Sequence, residues 1–93
     1  SLPHASGAKL ANHEVNVIVT GGDGDGYGIG GNHFTHTSRR NLDILYIVMN
    51  NQIYGLTTGQ ISPTSEVGMK TKSTPFGSVE LPINPIASAI TAG

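Results

Sequence analysis

Two short apolar runs, Val15-Asn16-Val17-Ile18-Val19-Thr20 and Ile44-Leu45-Tyr46-Ile47-Val48-Met49, most constrain what this chain can become. Both are rich in β-branched residues and scarcely broken by polar ones, the pattern of parallel strands covered on both faces. The first gives out into Gly21-Gly22-Asp23-Gly24 and the second into Asn50-Asn51. Strand, glycine loop, helix and strand within about thirty-five residues make a βαβ unit. Its parallel strands end on one edge, where open α/β sheets bind their ligands. The fold class is therefore α/β, with a parallel-sheet βαβ core.

The strands are expected over residues 15–20 and 42–49, with 21–28 as loop. A helix is expected over 29–39, with Ile29, Phe34 and Thr37 facing the sheet. A short helix over 4–12 precedes this unit, its apolar positions being Ala5, Ala8 and Leu10. Residues 51–72 show no sustained period and carry Gly55, Gly59, Pro63 and Gly68. They predict a long functional loop with about one turn of helix. Asn84 before Pro85 marks a helix start, capped by the amide, running to residue 92.

Ninety-three residues make at most one small domain. With thirteen glycines and few large aromatic side chains, residues 1–93 are read as part of one domain of a longer subunit, truncated at both ends. The net charge of −1 and the scattered basic residues give no stripe for nucleic acid. No stretch has the length and apolarity to cross a bilayer, so the expectation is a soluble, cytoplasmic parent without a membrane partner. The absence of cysteine rules out a disulfide or thiolate metal site within these residues.

The chemistry lies in Gly22-Asp23-Gly24 and in Asn50-Asn51, with 25 residues between them. Magnesium takes a small octahedron of hard oxygens and keeps some ligands from phosphate or water. One carboxylate, one amide oxygen and a backbone carbonyl are a sufficient protein share of a magnesium-diphosphate site. Three other motifs fail on a residue. Gly26-Tyr27-Gly28-Ile29-Gly30-Gly31 fits a dinucleotide loop, but the next strand ends in an amide pair where an acid should hold the ribose. A calcium loop opening at Asp23 would have Tyr27 fifth and Phe34 in the place of its bidentate Glu. A Walker loop needs a lysine, and none occurs between Lys9 and Lys70. The plain alternative, a tight glycine turn whose Asp residues cap the next helix, stands on Gly-Asp-Gly alone; the amide pair argues against it.

These residues resemble the thiamine-diphosphate motif. The wording around them, Gly30-Gly31-Asn32-His33-Phe34, Arg39-Arg40-Asn41-Leu42-Asp43, Asn50 to Thr57, Gly59-Gln60 and Ser62-Pro63-Thr64, resembles the beta subunit of 2-oxoacid:ferredoxin oxidoreductases over almost the whole chain. The resemblance implies oxidative decarboxylation of a 2-oxoacid, pyruvate or 2-oxoglutarate, to an acyl-CoA, with electrons passed to ferredoxin. It implies that Asp23, the Asn51 side chain and the Ile53 carbonyl bind Mg2+. Gly22, Gly24, Asp25 and the turn Tyr54-Gly55-Leu56-Thr57 would hold thiamine diphosphate. Leu56 and Thr58 would face the substrate, Thr58 standing where many relatives carry lysine. The acid that activates the cofactor would belong to an alpha subunit with the pyrimidine-binding domain, so neither Glu66 nor Glu80 takes that role and no catalytic residue is assigned here. The ligands of a 4Fe-4S cluster would lie outside the segment. Two other readings share the metal motif: a non-oxidative thiamine-diphosphate decarboxylase or synthase, and a non-catalytic Mg-diphosphate module.

Other polar residues have plainer readings. His33 and His36 share a helix face but lack a third ligand in pattern, and are read as packing or surface residues. Arg39-Arg40 complements the carboxyl end of its helix. Lys70 and Lys72 are read as solvated, and Tyr54 as a wedge under the diphosphate turn whose hydroxyl needs a partner.

Overall fold

The computed structural model describes residues 1–55, 59–71 and 73–93. Helix α1 (Leu2–Ala11) has proline in its first turn and stops at Asn12, whose backbone is extended. Strand β1 (Val17–Gly22) follows, then a π-helical segment (Gly24–Ile29), helix α2 (Gly31–Arg40) and strand β2 (Ile44–Met49). The strands pair in parallel, in register from Val17 beside Ile44 to Gly22 beside Met49. The βαβ unit thus forms as the apolar runs imply, and Asp23 and Asn50-Asn51 leave it at the same edge.

The connection differs from expectation. Residues 21–28 are not a loop: the strand continues through Gly22, and Asp23 enters helical geometry that leads into the π-helical segment. Glycines at 24, 26 and 28 remove the side chains that would crowd so wide a turn against its neighbours, so a glycine-rich stretch reads as loop by composition while the backbone coils. Ile29 lies on the outside of this coil, 87% exposed, whereas Thr37 is buried beneath α2. Asn41 ends α2 in the left-handed region at φ 52°, a conformation asparagine tolerates.

In α1 the buried face is Leu2, Ser6 and Lys9, while Leu10 is exposed. Lys9 turns inward because backbone carbonyls await it. Its Nζ donates to the carbonyls of His13 at 2.9 Å and Val15 at 2.8 Å, tying the end of α1 to the start of β1. Helix α1 packs on both strands, whose face with Val19 and Tyr46 is the more buried; Phe34 of α2 meets Tyr46 there with ring centroids 6.5 Å apart. The opposite face, with Ile18, Leu45, Ile47 and Met49, is exposed. Within the described residues the strands are therefore covered on one face only.

Past the sheet the chain is also more ordered than a loop with one helical turn. Strands β3 (Ile53–Tyr54) and β4 (Gln60–Ile61) pair antiparallel, Ile53 beside Ile61 and Tyr54 beside Gln60. Gly59, at φ 104°, closes this hairpin with its N–H on the Tyr54 carbonyl at 2.9 Å. Helix α3 (Pro85–Ala92) packs on α2 and starts as expected, the Asn84 Oδ1 accepting the Ala87 N–H at 3.1 Å. Among the described residues no helix is long and apolar enough to cross a membrane.

Candidate functional site

Parallel pairing fixes where the chemistry gathers. Since Gly22 lies beside Met49, the next residues on each strand, Asp23 and the Asn50-Asn51 pair, meet beyond the sheet edge. Asp23 is 1% exposed. Its Oδ1 accepts the backbone N–H of Asn51 at 3.2 Å and its Oδ2 accepts the hydroxyl of Thr64 at 3.0 Å. Burial pushes this carboxyl up, but hydrogen bonds from Ser62, Thr64 and the backbone N–H groups of Asp23 and Asn51 outweigh it and hold the group below its ordinary value. Asp23 is thus kept as a buried anion.

Asn51 turns its amide oxygen back onto the N–H of Ile53 at 3.2 Å, a local bond that asparagine makes readily two residues ahead. Gln52 between them adopts φ 63°, and Asn51 and Ile53 on either side of it line the same cleft as Asp23. A cleft of about 460 Å³ opens there. It is lined by Gly22, Asp23, Gly24, Asp25, Asn51, Ile53, Tyr54 and Gly55, together with Met49. Eight of the residues singled out from the sequence therefore share one concavity. Leu56, Thr57 and Thr58 lie outside the described residues, as does Lys72.

Two tyrosines floor the coil above this cleft. The Tyr54 hydroxyl donates to the Gly24 carbonyl at 3.2 Å, and a Cβ on Gly24 would overlap the Tyr54 ring. This is the partner the Tyr54 hydroxyl was expected to need. A Cβ on Gly26 would overlap the Tyr46 hydroxyl. Glycine is required at both positions because an aromatic side chain lies against the backbone.

The donor chemistry suits a hard divalent ion with a diphosphate. Asp23 offers a carboxylate held ionised at the cleft. The Asn51 amide oxygen has capacity beyond the Ile53 N–H. Among the described residues no three His, Cys, Asp or Glu side chains converge. A cation held by Asp23 and Asn51 would have one carboxylate and one amide oxygen from these two side chains, the share expected when phosphate supplies the rest.

The whole chain, residues 1–93, matches the family described as thiamine pyrophosphate enzyme, C-terminal TPP binding domain. The chain belongs to this family. This thiamine-pyrophosphate-binding domain is 52% identical over its whole length to the 2-oxoglutarate synthase subunit KorB of Archaeoglobus fulgidus, covering 35% of that protein. It is 55% identical over its whole length to a 2-oxoacid:ferredoxin oxidoreductase subunit beta of Saccharolobus solfataricus, covering 30% of it. Among solved structures, the 2-oxoglutarate:ferredoxin oxidoreductase from Magnetococcus marinus, with 2-oxoglutarate, coenzyme A and succinyl-CoA bound, superposes with a TM-score of 0.95 at 46% identity. The match covers 99% of this chain and 32% of that one. The chain spans about a third of the length of these relatives.

The thiamine-pyrophosphate-binding domain also contains a feature that reading residue by residue missed. Ser62, Thr64 and Ser65 are buried. Their hydroxyls reach Asp23, Asn50 and the Gln52 carbonyl. Three hydroxyl residues around Pro63 were the available signal, but such a cluster reads as a polar loop until a buried carboxylate lies against it. The remaining candidates sit apart. The His36 Nδ1 accepts from the Arg39 Nε at 3.1 Å on the exposed side of α2, and His33 is exposed on the same helix. Glu66, Lys70 and Glu80 are exposed.

Proposed function

We propose that this chain is the thiamine-diphosphate-holding part of the beta subunit of a 2-oxoacid:ferredoxin oxidoreductase. Residues 1–93 are part of one cofactor-binding domain of that subunit. The observation that carries this reading is the meeting of Asp23 and Asn51 at one cleft, on the edge where parallel strands end. The identities near 50% to beta subunits with that printed activity support the choice of enzyme over a non-oxidative decarboxylase or a phosphate-binding module.

Asp23, the Asn51 amide oxygen and the Ile53 carbonyl would hold magnesium. The N–H groups of Gly24 and Asp25, which open a helical segment and lack partners within it, would face diphosphate oxygens. Tyr54 and Gly55 would continue that cradle, with Leu56 and Thr57 beyond them and Leu56 and Thr58 toward the substrate. When bound, thiamine diphosphate supplies the electron sink for decarboxylating a 2-oxoacid. This chain's share is to bind and orient: Asp23 anchors positive charge, and Tyr54 keeps the Gly24 backbone in place. An alpha subunit with the pyrimidine-binding domain would contribute the activating acid. Coenzyme A would take the acyl group, and a 4Fe-4S cluster bound outside these residues would pass electrons to ferredoxin.

The test is to assemble the full-length subunit with its partner and follow ferredoxin reduction driven by pyruvate or 2-oxoglutarate. The expected result is reduction that needs coenzyme A, thiamine diphosphate and magnesium together. Reduction indifferent to thiamine diphosphate, or decarboxylation to free aldehyde without electron transfer, would reject the assignment.

A further inference from the structure

The oxygen of one side chain lies within hydrogen-bond distance of groups on both halves of the site. Thr64 Oγ1 is 3.0 Å from Asp23 Oδ2, 2.7 Å from Asn50 Oδ1 and 3.1 Å from Ser62 Oγ. A hydroxyl has a single proton to give. The Asp23 carboxylate can only accept, whereas an asparagine amide presents either its oxygen or its NH2 group by a half-turn. With that half-turn the Asn50 NH2 donates to Thr64 Oγ1, and the Thr64 proton is left for Asp23. Thr64 thereby joins the carboxylate that ends β1 to the amide pair that ends β2.

Its neighbours hold it there. The Ser62 Oγ accepts the Thr64 backbone N–H at 3.2 Å. The Ser65 Oγ accepts the Ser62 N–H at 2.8 Å while donating to the carbonyl of Gln52. Gln52 is the left-handed residue between Asn51 and Ile53, which both line the cleft. Ser62, Thr64 and Ser65 are 6%, 5% and 2% exposed, so water does not compete for these bonds. A buried network with its partners satisfied specifies one arrangement of the groups it touches.

We infer that Thr64 is a positioning residue of the metal site: its hydroxyl fixes the rotamer of Asp23 and, through Asn50, the loop that carries Asn51, so both ligands are presented together before a cation arrives. This rests on the reading of the cleft as a magnesium-diphosphate site. Thr64 does not reach the reacting atoms and acts only through Asp23 and Asn50.

The experiment uses the full-length subunit in its complex, stripped of divalent metal, with Mn2+ as the paramagnetic probe and thiamine diphosphate present or absent. Wild type, Thr64→Ser, Thr64→Val and Thr64→Ala are compared by electron paramagnetic resonance titration, with thermal unfolding as a check on assembly. Losing a hydrogen bond to a charged group should weaken Mn2+ binding about tenfold or more in the valine and alanine variants. The serine variant, which keeps the hydroxyl, should stay within about threefold of wild type, a span of less than one kcal/mol. At saturating metal, turnover of the valine variant should recover, because the ligands themselves remain. Alanine removes the same hydroxyl without adding a buried methyl, so it carries the comparison if the valine variant does not assemble. Unchanged Mn2+ affinity without the hydroxyl, or equal losses in the serine and valine variants, overturns the positioning role while leaving the site standing. Wild type showing no thiamine-diphosphate-dependent Mn2+ binding would remove the site and this inference together.

Discussion

Asp23 Oδ1 and the backbone N–H of Asn51 are joined by a 3.2 Å hydrogen bond between residues 28 apart in the chain. The bond ties the carboxyl end of one parallel strand to that of the next, so the two proposed metal ligands are in contact in the protein alone. Removing Asp23 therefore has two consequences that different measurements separate.

Asp23→Ala should abolish magnesium-dependent retention of thiamine diphosphate by the intact complex, because it deletes the only carboxylate that makes this contact. It should also destabilise the subunit by roughly 1–3 kcal/mol, as the Asn51 N–H and the Thr64 hydroxyl lose a buried acceptor. Asn51→Ala should weaken cofactor retention less, since an amide oxygen carries no formal charge. Cofactor content after gel filtration, with and without chelator, checks both; full occupancy in the two variants would dismiss the site assignment.

Lys9 offers a second test, away from the cleft. Its ammonium is held by the carbonyls of His13 and Val15, and Asp43, the residue before β2, stands 4.0 Å away. Asp43 is almost fully exposed, so that ion pair contributes little. Lys9→Met should cost about 1–3 kcal/mol through two carbonyls left without a donor. Asp43→Asn should cost under about 0.5 kcal/mol. Thermal unfolding of the full-length subunit distinguishes them, and equal shifts would show that the ion pair, not the carbonyl bonds, holds Lys9.

Lys9 also marks what the sequence could and could not convey. The βαβ unit was legible because the apolar runs end so abruptly, and the end of a parallel strand has a known use. Asp23 and Asn51 were legible for the same reason: their places follow from register. The inward turn of Lys9 was not, because lysine on a short helix reads as solvated until two backbone carbonyls lie within its reach. Ile29 failed in the opposite sense. A helical period of 3.6 puts its apolar side chain against the sheet, but it ends a π-helical segment whose wider turn carries it outward. Thr64 was legible as a word in a resemblance, and its contact with a carboxylate 41 residues away needed the fold.

Thr58 is expected to tune substrate choice rather than cofactor binding. Lysine at this position would set a cation near an anionic substrate group, and a charge-assisted hydrogen bond is about twice as strong as a neutral one. Thr58→Lys in the intact enzyme should change the ratio of kcat/KM between 2-oxoglutarate and pyruvate in favour of the dicarboxylate, leaving thiamine diphosphate affinity nearly untouched. Equal changes for both substrates, or a large loss of cofactor affinity, would place Thr58 away from the substrate.

The contact between Gly26 and Tyr46 gives a prediction in which one substitution corrects another. The Tyr46 hydroxyl is buried and has no hydrogen-bond partner among the described residues. Burial, then the charges of Asp25 and Tyr27, raise its ionisation above the ordinary 10.0. A group whose folded value is raised stabilises the fold below its unfolded value and loses that contribution as pH rises through the folded one. Tyr46→Phe should therefore be near neutral in stability at pH 7, since it removes an unsatisfied hydroxyl, and should flatten the decline of stability above pH 10. Gly26→Ala should destabilise by about 1–3 kcal/mol, because its Cβ would overlap that hydroxyl and the packed coil must shift. The hydroxyl is the nearest obstruction and the ring carbon behind it lies 3.3 Å from the new Cβ. Gly26→Ala combined with Tyr46→Phe should then recover most of the loss, giving a favourable coupling of about 1 kcal/mol or more. Additive losses in the double variant would mean that Gly26 is required by the π-helical backbone itself rather than by the tyrosine beneath it.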